Sequence, residues 1–95
     1  MYNLTEAMVN DFGYNKLGNK KYNEAIAAFK YNVSNNPGSA NTYDSLGEAY
    51  ERAGMFSEAI ECLNKAIELA QKAKDPNLGI YKTSLERINN SKNKK

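Results

Sequence analysis

Asp44, Glu48 and Glu51 lie within eight residues of one another on one helical segment, and carboxylates placed this closely can do general acid–base work inside an enclosed site. Carboxylates on an exposed helix face are commonplace, and the pattern here implies no enclosed pocket, so they read as surface charge. The chain has no histidine. That removes Ser-His-Asp and Cys-His catalysis, imidazole proton shuttles and nearly all zinc sites. The single cysteine, Cys62, precedes Leu63 with no evident activating neighbour and reads as a packing residue. Tyr22, Phe29, Tyr43, Tyr50, Phe56 and Tyr81 recur at helical spacing, as core aromatics do. A base-stacking platform would interleave basic residues with exposed rings, and the sequence does not do so. No cofactor motif is present, and the expectation is a chain without catalysis, metal or cofactor.

These residues must be positioned by one small domain. Ninety-five residues bury roughly two-thirds of the surface their unfolded chain exposes, enough for one modest core. Thirteen Lys and Arg against eleven Asp and Glu give a net charge of +2. Lys92, Lys94 and Lys95 supply three of the positives, and the remaining ten are outnumbered by the eleven acids. A near-neutral body argues against a dedicated nucleic-acid surface, and the terminal lysines read as a solvated, disordered basic tail over 91–95. One cysteine cannot form an internal disulfide, which is compatible with a reducing compartment. The longest apolar run, Ala25 to Phe29, is far too short for a membrane span, and the N-terminus lacks the pattern of a signal peptide. Met1 fits either a native start or the start of an excised domain.

The sequence matches itself when displaced by 34 residues: Gly13 falls on Gly47, and Glu24-Ala25-Ile26 falls on Glu58-Ala59-Ile60. Similar types pair at Phe12 and Leu46, Val9 and Tyr43, Tyr22 and Phe56, Phe29 and Leu63, and Val33 and Ile67. Each period reads as two helices. Thr5 is the N-cap of the first, with Leu4 stapled onto Val9, and Val9, Phe12 and Leu17 carry its apolar spacing to about Gly18. Asn23 is expected to cap the second, which carries Ala25, Ile26, Phe29 and Val33 until Pro37-Gly38 ends it with a left-handed exit. Ser39 caps the third, with Tyr43, Leu46, Gly47 and Tyr50 inside, and Gly54 closes it. Ser57 is expected to cap the fourth, which buries Ala59, Ile60, Leu63, Ala66, Ile67 and Ala70. Asp75-Pro76 opens a fifth helix with Leu78, Tyr81, Leu85 and Ile88 on one stripe.

On these residues the chain resembles the tetratricopeptide repeat family. The second repeat supplies Tyr43, Leu46-Gly47, Tyr50, Gly54, Ala59, Leu63 and Ala66, and the first supplies Val9, Phe12-Gly13, Ala25, Phe29 and Pro37. Three positions depart from the family pattern: Lys16 stands for Tyr, Asn32 for Ala and Gln71 for Pro, the last implying a fourth helix that runs to about Lys74. The resemblance implies an all-α fold: two helix-turn-helix repeats, about 6–39 and 40–73, with a capping helix at about 76–90, together a fragment of a right-handed α-α superhelix. The wording of Phe29 to Val33 and of Tyr43 to Tyr50 is also similar to tetratricopeptide tails C-terminal to some bacterial serine hydrolases of the β-lactamase-like and α/β-hydrolase types.

The family lines its concave face with the first helix of each repeat. Carried onto this chain, that face comprises Asn10, Asp11, Tyr14 and Leu17, then Asn41, Asp44, Ser45, Glu48, Glu51 and Arg52. It reads either as a ligand groove, acidic with Tyr14 and Leu17 as an apolar anchor, or as an ordinary solvated polar face. The four acids Asp11, Asp44, Glu48 and Glu51 outweigh Arg52, so a ligand would present Lys or Arg beside an apolar residue. The carboxylate clamp of some family members finds Asn10, Tyr14 and Ser45 at its positions and no third repeat, and is not supported. The expected function is non-catalytic binding of a protein or peptide. The alternative is a structural accessory domain attached to a hydrolase, with an idle groove. Two repeats are fewer than a stable array usually needs, which leaves weak homodimerisation through exposed inter-repeat surface open.

Overall fold

The computed structural model describes residues 4–93 and contains, among them, five α-helices: α1 (Glu6–Gly18), α2 (Tyr22–Asn35), α3 (Ala40–Arg52), α4 (Phe56–Ala73) and α5 (Leu78–Asn93). Each helix packs on the next in sequence, and α3 also touches α1. The result is a slab of 46 × 33 × 17 Å, an all-α stack of two helix pairs with α5 laid over the last. No described helix is long and apolar enough to cross a membrane.

The core runs continuously through the stack. Phe29 and Leu17 in the first pair, Leu46 and Leu63 in the second, and Tyr81 and Ile88 on α5 are all buried. Close approach within each pair depends on a glycine. A Cβ on Gly47 would collide with Leu63 Cδ2 of α4, and one on Gly13 would sit 2.6 Å from Phe29 Cζ of α2. The sequence departures have local explanations. Asn32 is buried because its Nδ2 donates to the Glu6 carbonyl at 3.0 Å, tying α2 to the start of α1. Lys16 pairs with Glu24 at 3.4 Å and lies 5.2 Å above the Phe12 ring. With no Pro at 71, α4 continues to Ala73.

The helix ends correct several expectations. Thr5 does cap α1, its hydroxyl accepting from the Met8 amide at 3.1 Å. Asn23 and Ser57 do not cap: α2 starts from Lys21 and α4 from Met55, and neither has a side-chain cap. The N-cap positions fall to Lys21 and Met55, whose side chains carry no oxygen to accept from the helix start. Lys20 adopts φ 61° and Gly54 φ 80°, with Lys21 N donating to Lys16 O at 2.9 Å and Met55 N to Tyr50 O at 2.8 Å. This is a Schellman closure whose last residue is already the N-cap of the next helix. Gly38 has no positive φ, and the link to α3 is a turn in which Ser39 N donates to Asn36 O at 3.0 Å. Ser39 holds the N-cap position of α3 without a side-chain cap bond; its hydroxyl faces Glu6 Oε2 at 3.4 Å. Asp75 accepts from Asn77 N at 2.8 Å in a turn, so α5 begins at Leu78 and not at Pro76. At its far end α5 includes Ser91, Lys92 and Asn93, where the sequence reads as a disordered tail; Lys94 and Lys95 lie outside the described residues.

Phe12 is 52% exposed, although its repeat equivalent Leu46 is only 6% exposed. Leu46 belongs to a helix enclosed by α2 and α4, whereas α1 leans chiefly on α2. Phe12 therefore joins Leu4, Met8 and Tyr31 on an open apolar face at the N-terminal end of the stack.

Candidate functional site

A cavity of about 630 Å³ opens between α3 and α5 above the first turns of α4. Helix α3 contributes Asp44, Glu48, Glu51 and Arg52, residues at helical spacing that share one face. Helix α4 contributes Phe56 and Leu63. Helix α5 supplies the opposite wall with Ile80, Ser84, Arg87, Ile88 and Ser91. The cleft is thus mixed in character: charged side chains make up most of its wall, and Ile80 and Phe56 supply its accessible apolar surface.

The rim is built from pairs. Arg87 spans the cleft, donating from Nε and Nη2 to the two Glu51 carboxylate oxygens at 3.0 and 2.8 Å. This fork-to-fork arrangement fixes α5 against α3. Glu48 accepts from Arg52 Nη2 at 3.0 Å and from the Tyr14 hydroxyl at 3.0 Å. Tyr14 also lies 3.2 Å from Ser45 Oγ, and Ser45 donates to Asn10 Oδ1 at 3.0 Å. Burial first, and then the nearby Glu48 and Asp44 charges, push the Tyr14 phenol up to about 12, so it is a hydrogen-bond donor at any physiological pH. Asp44 has no ion pair among the described residues. Burial, with repulsion from Glu48 and Glu51, raises its carboxyl to about 6, against the opposing pull of Arg87.

The groove residues expected from sequence separate into three groups. Asp44, Glu48, Glu51 and Arg52 meet around the cleft. Asn10, Tyr14 and Ser45 are joined behind it in the hydrogen-bonded chain that couples α1 to α3. Asp11 and Asn41 are exposed and line no part of the cleft. Leu17 is not an anchor for a ligand: it is 2% exposed and belongs to the core, because its position on α1 turns it into α2. The Tyr14 ring likewise packs inward, edge-on to Phe29 with centroids 5.0 Å apart. The apolar contribution comes instead from α5, which sequence reasoning treated only as a cap. Its signal was present: Ile80, Ser84, Arg87 and Ser91 recur at four, three and four residues beside the buried stripe, and Ile80 is a large aliphatic residue left off that stripe. Ile80 is 60% exposed.

Residues 6–72 match the family model described as tetratricopeptide repeat, and the chain belongs to that family. The match is to a repeat module and to no enzyme family, and such repeats generally mediate protein–protein interaction. Among solved structures, the chain is similar to a tetratricopeptide repeat domain protein from Salinibacter ruber, determined by solution NMR. The two share 24% identity with a TM-score of 0.76, over 88% of this chain and 86% of that one. At that identity the likeness speaks for the fold. A search of curated proteins found no match.

Proposed function

We propose that the chain is a non-catalytic interaction module that holds a short segment of a protein or peptide in the cleft between α3 and α5. The observation that carries this reading is the cleft itself: an open cavity of about 630 Å³ lined mainly by charged side chains of α3 and α5, with Ile80 and Phe56 as its accessible apolar surface. The preferred segment places an apolar side chain against Ile80 and Phe56 and carries net positive charge, since three carboxylates face two arginines. Binding is weak because the cleft is short, and it fades as salt rises past physiological strength.

A peptide array read against wild type and Ile80→Ala tests the proposal. Ile80 is exposed, so the substitution leaves the melt unchanged. Basic–apolar peptides bind wild type and lose about tenfold in affinity on the variant, the cost of one apolar contact. Tight binding of acidic C-terminal peptides would instead revive the carboxylate clamp. Binding to nothing would favour the accessory-domain reading, in which the chain serves an attached catalytic domain. Self-association has a separate surface in the apolar face of Leu4, Met8, Phe12 and Tyr31, and sedimentation of wild type against Phe12→Glu over a concentration series tests it.

A further inference from the structure

We infer that Asp44 is the specificity residue of the cleft, seating the ammonium or guanidinium of a Lys or Arg whose neighbouring aliphatic residue rests on Ile80. The inference rests on the cleft being the binding site. Its ground is the accounting of charge within the cavity. Glu51 is taken up by both donor edges of Arg87, and Glu48 by Arg52 and Tyr14. Asp44 lies beside them on the cavity wall, half-buried, with no cation among the described residues within ion-pair distance. A segment bringing one cation completes the pairing of the rim without breaking either existing pair. A segment bringing an anion meets a carboxylate that Arg87 offsets only at a distance, without an ion pair.

The site also couples binding to protons. The charged and titratable groups facing Asp44 are Glu48 and Glu51 on its own helix, Arg87 and Tyr81 on α5, and Tyr14 on α1. Burial and the two glutamates hold the Asp44 carboxyl near 6, and both tyrosines are neutral through that range, since an ordinary phenol ionises near 10 and both are raised from there. A cation on Asp44 favours the ionised form and lowers that value, so binding near pH 6 releases a proton and weakens as the pH falls below it.

The test compares acetyl-Ala-Leu-Lys-Leu-Ala-amide with its norleucine counterpart by amide chemical-shift titration of the full chain at pH 7.5 and pH 5. The Lys peptide is expected to perturb α3 and α5 and to bind about tenfold more tightly than the norleucine peptide at pH 7.5, with the advantage lost at pH 5. Asp44→Asn removes the advantage at both pH values, and the Asp44 side-chain carbon titrates at lower pH in the presence of the Lys peptide. Equal affinity of the two peptides for cleft residues overturns the role of Asp44 while the cleft reading stands. A preference for Lys that persists in Asp44→Asn does the same. Absence of cleft perturbation by either peptide overturns the cleft reading and this inference with it.

Discussion

Asp44 shows how burial sets the behaviour of a single side chain. Its carboxyl is held at about 6 against an ordinary 3.8, so the folded chain binds a proton that the unfolded chain has already lost between those values. Ionisation is therefore costlier folded than unfolded, and the cost is present above about pH 6 and absent below about 3.8. Asp44→Asn is expected to stabilise the free protein at pH 7.5 by about 1 kcal/mol, a figure reduced for the partial exposure of the group, and to change nothing at pH 3.5. Urea unfolding at the two pH values measures this, and equal gains at both would remove burial of charge as the cause. Gly47 shows the same dependence on surroundings. Gly47→Leu drives side-chain volume into Leu63 and should cost roughly 1–3 kcal/mol or more in a thermal melt. Gly79→Ala, with open space around the position, should be neutral or gain about 0.5 kcal/mol.

At the scale of the element, the turns inside each repeat carry the register. Lys20 and Gly54 are 34 residues apart and close their helices in the same way, yet only one of them is a glycine. A left-handed conformation costs a residue with a Cβ roughly 1 kcal/mol. Lys20→Gly should therefore raise stability by about 1 kcal/mol despite adding chain entropy to the unfolded state, and Gly54→Lys should lower it by a similar amount. A Lys20→Gly melt at or below wild type would mean that the strain is relieved elsewhere. These turns also explain why Asn23 and Ser57 were legible as caps and do not cap. Each has the right residue type near a helix start, but the preceding helix closes so tightly that the next begins two residues earlier than such a cap would set it, at Tyr22 and Phe56. Capping preference is local, and the position of the start was decided by the closure before it.

At the scale of the whole molecule, equivalent repeat positions meet different neighbours. Phe12 and Leu46 are the same position of the repeat, but only Leu46 lies in a helix enclosed on both sides. Phe12→Glu should change stability by no more than about 0.5 kcal/mol, with Lys16 one turn away to meet the new charge. Leu46→Glu should unfold the chain, because a carboxylate there loses water and gains no partner. Similar losses in both variants, compared by circular dichroism, would show that the N-terminal face is covered. The 34-residue period, the helical spacing of the apolar residues and the small residues at Gly13, Gly47 and Ala59 were enough to read five helices and the family from sequence, because each depends on pattern along the chain. The carboxylates on α3 were legible for the same reason: helix periodicity alone places Asp44, Glu48 and Glu51 together. What opposes them was legible only as a second helical stripe on α5, not as the far wall of a cleft. Arg87 lies 36 residues beyond Glu51, and Ile80 faces the cleft only because α5 folds back across α4 at one particular angle. The stripe of Tyr81 and Ile88 that enters the core is periodic in the sequence, but the angle at which it docks on α4 is a tertiary property that the period does not carry. Leu17 and Phe12 exchanged their expected places for a related reason. The sequence marks both as apolar, but which one is buried depends on which sides of α1 another helix covers.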